Sequence, residues 1–433
     1  MILKGLFWPL RLASTAAFFS IATSISAQDI KPPLTLERAL QAADAPHPDL
    51  QFFEADRDIA LADRGFAAAR NDALVILDGR LQGARSSIPG SEFRADNIVR
   101  LNARKNLLDF GRSENSVGAA QAVTDARERV LLEARDQRRI DIMARYFDVL
   151  LADLQYVVDN EFMTVAFLDF DKGRDNFDQK LIPKVTLSEL ESRFQNLLFK
   201  RNQTQVLQRL SRELLAEAMN QPGEPAANLE DPKLPGNDRP LPSYEMLTAL
   251  LDQSPKIQTS KKLLEASRQR LEAVRAENNP SIDAEVEVGE FFNRKQQNRD
   301  TLRAGFLLTW PLYQGNRNSA LIAREQAQFH KLQAEAERTK RATSQTLLKL
   351  LLEAEQLQRA GRNSARLQVE FRDLGVERAR AQYEVELRTN LAESEAATID
   401  AKLRQRSIEY QLALTLAKIE ALIGQPLPKP AAK

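Results

Sequence analysis

The 433-residue chain contains no cysteine. It therefore holds no disulfide, no thiol nucleophile and no thiolate metal ligand, and no lipid can be attached through an N-terminal cysteine. Histidine is almost missing as well. His47 and His330 are the only two and lie far apart in sequence, which argues against a metal site; His330, in a charged helical stretch, reads as a solvated residue. Glycine is sparse at 16 residues and aromatics supply 6% of the chain, so a compact β-rich enzyme is a poor fit. An excess of one charge is also lacking. Charged residues make up 28% but nearly cancel, for a net charge of +1, which argues against the clustered basic surface of a nucleic-acid-binding protein. Past the N-terminal segment, no apolar run approaches the ~20 residues that a membrane-spanning helix needs. Any membrane crossing must then be made of strands. No acid, base and nucleophile stand at a meaningful spacing. Hence no catalytic, cofactor-binding or metal-ligating residue is nominated, and the chain is not expected to be an enzyme.

The N-terminus carries Lys4 and Arg11, then an apolar and small-residue run from Leu12 to Thr23, then Ser24-Ile25-Ser26-Ala27. That order predicts a secretory signal peptide over residues 1–27. Alanine, leucine, glutamate, glutamine, arginine and lysine dominate the remainder of the chain, the composition of long helices.

The chain repeats itself. His47-Pro48-Asp49-Leu50 and Ser254-Pro255-Lys256-Ile257 each come after a short helical pattern, with the prolines 207 positions apart (255 − 48). Leu107-Leu108-Asp109-Phe110-Gly111-Arg112 and Pro311-Leu312-Tyr313-Gln314-Gly315-Asn316 set their glycines 204 apart (315 − 111). Gln179-Lys180-Leu181-Ile182-Pro183 and Val385-Glu386-Leu387-Arg388-Thr389 set their leucines 206 apart (387 − 181). A nearly constant offset implies two halves of one plan. The expected division is a first repeat over 28–220, a linker over 221–242, a second repeat over 243–426 and a tail over 427–433. The linker holds Pro222, Pro225, Pro232, Pro235, Pro240 and Pro242, which cannot continue a helix or a ladder, and it is expected to lie extended on the outside of a helical body.

Each half reads helix, strand, strand, long helix, long helix. Val75, Leu77, Gly79 and Leu81 alternate with Ile76, Asp78, Arg80 and Gln82, a period of two that predicts a half-buried strand. Pro89-Gly90 marks the turn. The return strand puts Val99, Leu101, Ala103 and Leu107 on one face and Arg100, Asn102, Arg104 and Asn106 on the other. In the second half, Ile282, Ala284, Val286 and Val288 alternate with acidic residues, and Leu302, Ala304, Phe306, Leu308, Trp310 and Leu312 share one face. Strands of this length suit either soluble hairpins or tilted membrane strands of about 9–11 residues. Four strands cannot close a barrel, since about eight are needed, so membrane strands would require a homo-oligomer; three chains would supply twelve. The long helices carry apolar seams at spacings of three and four, including Ala119, Ala126, Ile140 and Phe147, then Leu187, Leu190 and Phe194, and later Leu403, Tyr410 and Leu414. Helix periodicity alone is equally consistent with a soluble periplasmic coiled-coil scaffold or adaptor, which leaves the two embedded strand pairs unexplained.

Taken together, Trp310-Pro311-Leu312-Tyr313-Gln314-Gly315, its partner Leu107-Leu108-Asp109-Phe110-Gly111, Arg145-Tyr146-Phe147-Asp148-Val149-Leu150 and Tyr383-Glu384-Val385-Glu386-Leu387-Arg388-Thr389 make the chain resemble the TolC-like outer-membrane efflux family. The resemblance spans about Thr35 to Pro426. It implies a mainly α fold with membrane β: long antiparallel helical hairpins forming a periplasmic α-barrel, and four strands per protomer in a trimeric twelve-stranded outer-membrane barrel. It also implies a function, as exit duct of a tripartite efflux or type I secretion system. The implied partners are outer-membrane lipid, a periplasmic adaptor (membrane fusion) protein and an inner-membrane ABC or RND-type transporter. By resemblance, Tyr383, Arg388 and Thr186 match latch positions at a closed inner aperture, and Glu395 matches one of two acidic ring positions, the other being Ala392 here. Lys180, Leu181, Ile182, Glu386 and Leu387 fall at the hairpin tips that contact the adaptor. Thr186 stands where the family commonly has aspartate, and Lys180 and Glu386 stand where it has tip glycines.

Overall fold

A computed structural model describes residues 33–428 apart from 86, 225–227, 292–301 and 385–390. The predicted signal peptide therefore lies outside the described residues, as do Glu386, Leu387 and Arg388 and most of the predicted tail.

In the first half, α1 (Leu36–Gln41) starts on Thr35, whose hydroxyl accepts the Arg38 N–H at 3.3 Å. α2 (Pro48–Ala69) starts with a proline at its first turn, where the missing N–H costs nothing, capped by His47. β1 (Leu74–Arg80) leads through a small ladder of β2 (Gly83–Ala84) on β3 (Arg94–Ala95) to β4 (Ile98–Leu108). α3 (Arg112–Asp178) then runs 67 residues without a break, ~100 Å at 1.5 Å per residue. α4 (Lys184–Ala218) returns beside it. The second half repeats the order with α5 (Tyr244–Leu250), α6 (Pro255–Arg275), β5 (Ser281–Phe291) and β6 (Leu302–Thr309). Its long helix has two pieces, α7 (Arg317–Gln356) and α8 (Arg362–Glu384), joined by one π-helical turn over Leu357–Gly361. α9 (Leu391–Ile423) closes the plan. No helix among the described residues is long and apolar enough to cross a membrane.

The four long strands form one antiparallel sheet in the order β1-β4-β5-β6, so the two hairpins join through β4 and β5. The strand-to-helix turns are built alike in both halves. Gly111 and Gly315 both have positive φ, +90° and +62°, a backbone that a side chain would strain. Asp109 fixes the first turn by accepting from the Ser113 backbone N–H at 2.9 Å and from the Ser113 hydroxyl.

The core divides in two, by the same logic in each half. One cluster packs α1 against the middle of α3, with Ile142, Tyr146, Phe147 and Val149 meeting Leu215 and Tyr410. The other packs α5 against the middle of α7, with Leu247, Leu347 and Leu351 meeting Leu412, Leu416, Ile419 and Ile423. The α9 seam is broader than its spacing suggested. Leu403 and Tyr410 are buried as expected, but so are Leu412, Leu416, Ile419 and Ile423, because α9 meets α3, α7 and α8 at once.

The linker is tied down by side chains. Leu34 pairs with it on both sides, donating to the Asn228 carbonyl at 2.9 Å and accepting from the Glu230 N–H at 3.0 Å. The Tyr146 hydroxyl reaches the carbonyls of Leu34 (2.8 Å) and Glu230 (2.5 Å), and the Tyr410 hydroxyl donates to Asp231 at 2.8 Å. At its far end the π turn takes hold: Gln358 donates to the carbonyls of Asn237 and Arg239, and Arg362 bridges Asp238 and Glu409. Tyrosine in an otherwise aliphatic seam is the mark of these anchors, since a buried hydroxyl needs a partner.

Candidate functional site

The sheet has two chemically different faces. The cross-strand register aligns Val75, Ala103, Val286 and Ala304 in one row and Leu77, Leu101, Val288 and Leu302 in the next, all on one face. Phe306 sits opposite Ala284 on that face. The other face carries Arg100, Asn102, Arg104 and Asn106 opposite Asp283, Glu285 and Glu287. Arg104 donates to Asp283 at 2.5 Å, Asn106 to the same carboxylate at 2.8 Å, and Arg100 lies 3.6 Å from Glu287.

Two expectations about the strands need correction. The alternation placed Leu107 with Leu101 and Ala103; a bulge between Asn106 and Leu108 instead brings Leu108 against Ile282, the extra residue shifting the period by one. The strands were also expected to be half-buried. In the protomer Val75, Leu77, Leu101, Val288, Leu302 and Phe306 are all exposed, because the sheet covers no core and its apolar face looks outward. Both outer strands, β1 and β6, have a partner on one side only within the protomer.

The helical edges match those strand edges. α2 exposes Phe52, Ile59 and Phe66; α4 exposes Phe199, Val206, Leu207 and Leu210; and α8 exposes Leu367, Phe371 and Leu374. Stripes of three and four spacing on outer helices are faces without a partner in one copy.

At the other end of the long helices, α3 stops with Lys180 in the left-handed region, φ +59°. The Leu181 N–H reaches back to the Asn176 carbonyl and the Lys180 N–H to that of Phe177, both at 2.8 Å, closing a Schellman turn. A lysine thus holds the conformation that glycine adopts without strain. Lys180→Gly is expected to stabilise this hairpin by about 0.5–1 kcal/mol, read as slower amide exchange at the turn. Behind the tip, Phe194 packs on Phe167 and Phe170, and Gly173 lies so close to Leu190 that a methyl group there would collide with it.

The nominated aperture residues fall into three groups. Lys180 and Leu181 are exposed on the turn with Ile182 half-buried beside them, and Thr186 stands in the first turn of α4. Tyr383 is exposed at the end of α8, and no hydrogen bond joins it to Thr186 among the described residues. Glu395 is paired within the protomer, 3.3 Å from Arg380 across the α8–α9 hairpin. Sequence reading missed that arginine, as it missed Arg193 of α4, which lies 3.7 Å from Asp169 and 3.8 Å from Glu393 and so ties the first hairpin to the second. Each pairing depends on how two helices lie side by side, which no spacing along the chain encodes. No group of acidic or histidine side chains that could hold a metal occurs among the described residues.

No family model and no curated protein sequence matches the chain at a significant level. Solved structures do. The outer-membrane protein VceC from Vibrio cholerae superposes with a TM-score of 0.74 over 91% of this chain and 97% of its own, at 17% identity. The CmeC outer-membrane channel of Campylobacter jejuni gives 0.76 over 98% and 96%, at 13% identity. The MtrE outer-membrane channel of Neisseria gonorrhoeae, in its open state, gives 0.70 over 92% and 91%, at 18% identity. The chain has the TolC-like channel fold. Within that fold the four-stranded sheet with its outward apolar face and the paired long helices are parts of one wall. The tips of α3–α4 and α8–α9 are its far end. The fold is carried here by sequences that share fewer than one residue in five, so what persists is pattern: strand alternation, helix length and the turn glycines.

Proposed function

We propose that this chain is one protomer of a trimeric exit duct, its strands in the outer membrane and its helices standing in the periplasm. The observation that carries the reading is the sheet itself: an exposed apolar face, a charged opposite face and two unpaired edges. An open edge is not stable in lipid, where backbone groups have no water to pair with. Three copies joined edge to edge would close twelve strands, with the apolar face toward lipid and the Arg104–Asp283 face toward a water-filled lumen. The exposed stripes on α2, α4 and α8 would meet neighbouring copies in the helical wall. The signal peptide over 1–27, the repeats over 28–220 and 243–426 and the linker over 221–242 fit an exported, duplicated wall element.

An adaptor and an inner-membrane ABC or RND-type transporter would dock at the tips, through Lys180, Leu181 and Ile182 and through Glu386 and Leu387. Tyr383, Arg388 and Thr186 would latch neighbouring hairpins at rest, with Tyr383 and Thr186 bonding across copies. Glu395 would line the constriction, its charge damped by Arg380. A soluble scaffold is disfavoured by the apolar sheet face.

Planar-bilayer conductance of detergent-extracted protein, with its mass read in the same preparation, tests this. The expected result is a trimer giving small, cation-selective currents. The double variant Tyr383→Phe, Arg388→Ala should raise single-channel conductance several-fold. A water-soluble species without conductance would remove the duct reading. Unchanged conductance in the double variant alone would remove the latch.

A further inference from the structure

Where α2 begins and α4 ends, beside the middle of α3, the protomer has a cavity of about 560 Å³. That is within the size range of small-molecule sites. Its apolar lining comes from Leu50 and Phe53 of α2, Val130 and Ala134 of α3, and the last turn of α4. Its polar group is Arg138, only 8% exposed.

Arg138 is under-used by the fold. Its one hydrogen bond is a long one, 3.4 Å from Nη2 to the Ala42 carbonyl, and its Nε is buried with no partner. Burial pushes the guanidinium below its usual pKa, although Asp49 and Asp141 favour its charge. The carboxylates around the cavity do not satisfy it. Glu133 lies 3.4 Å from Lys256 and Asp141 lies 3.5 Å from Arg145, while the Asp49 side chain is 82% exposed to water. His47 turns its Nδ1 to the Asp49 N–H as acceptor. A buried guanidinium with free N–H groups at an apolar cavity is costly unless an anion meets it.

We propose that this cavity binds a small amphipathic monoanion, with its carboxylate on Arg138 and its apolar body against Phe53, Val130 and Ala134. A planar fork suits a carboxylate, and the apolar walls select an aryl or short alkyl body. The site lies within one protomer and stands apart from the duct reading.

Equilibrium dialysis of the full-length protein in non-ionic detergent against 2-naphthoate, corrected for micelles alone, tests it. The expected result is one molecule bound per protomer, with binding weakened by salt and the neutral 2-naphthalenemethanol at least tenfold weaker. Arg138→Gln should lower affinity at least tenfold, and Arg138→Lys should fall between it and the parent. Ala134→Phe fills the cavity and leaves Arg138 in place; it should abolish binding without changing the assembly's size, and it decides the matter if Arg138→Gln fails to fold. Equal binding of acid and alcohol overturns the proposal. So does a folded Arg138→Gln variant that binds as well as the parent but weakens the assembly, which would give the arginine to a neighbouring copy instead.

Discussion

Phe306→Arg is expected to keep the protein out of the membrane. Phe306 is 77% exposed on the apolar face of β6, opposite Ala284 and in line with Leu302 and Leu308. An arginine on the lipid face of a barrel costs about 2–4 kcal/mol at the bilayer midplane, and three copies would carry it at once. Its neighbour provides the contrast. Leu307 points to the opposite face, where it sits across from Asp283, and Leu307→Arg would place a cation among carboxylates on a wet surface. The first variant should be lost from the outer-membrane fraction and the second should insert with parental yield. Equal insertion of both would mean that the apolar face does not meet lipid.

Tyr146→Ala is expected to cost about 3–5 kcal/mol, the range for deleting a large buried ring. Tyr146 is fully buried, packs edge-on against Phe147, and its hydroxyl holds two carbonyls, one before α1 and one in the linker. Tyr146→Phe keeps the ring and strands both carbonyls, so it should cost about 1–3 kcal/mol. Thermal unfolding of the two variants separates packing from hydrogen bonding; if they fall together, the hydroxyl is the larger part. The same anchors give an alkaline signature. Burial pushes the Tyr146 phenol up to about 12, and burial together with the Asp231 carboxylate raises that of Tyr410. An unfolded tyrosine titrates near 10. A folded pKa raised in this way supplies stability that is complete below about pH 10 and is lost as pH rises through about 12. Phenolate absorbance should therefore show two of the six tyrosines ionising late, together with loss of helix. Uniform titration near pH 10 would count against the strap.

The parts of the fold legible in the sequence are those written as period or offset. Alternation gave the sheet faces, since Leu101, Val288 and Leu302 do share one face. Constant offsets gave the duplicated turns, since Gly111 and Gly315 share a left-handed backbone. The bulge after Asn106 was invisible because one extra residue in a strand has no composition. The burial of Leu412 and Ile419 was missed because a seam pattern assumes one packing face, whereas α9 meets several helices. At the tips, motif matching located Tyr383 and Glu395 but not Arg380 or Arg193. Those partners are chosen by the lateral packing of hairpins, a relation between distant segments.

The single π turn between α7 and α8 sets the angular phase of everything beyond it. One residue more than an α-helical turn rotates the rest of the helix by ~100° relative to an uninterrupted rod. Deleting one residue within 357–361 would yield a more regular helix, yet it would swing Arg380 away from Glu395 and carry the Leu367, Phe371 and Leu374 stripe round to another side. The second half thus keeps time with the unbroken first half by a one-residue step placed at the belt.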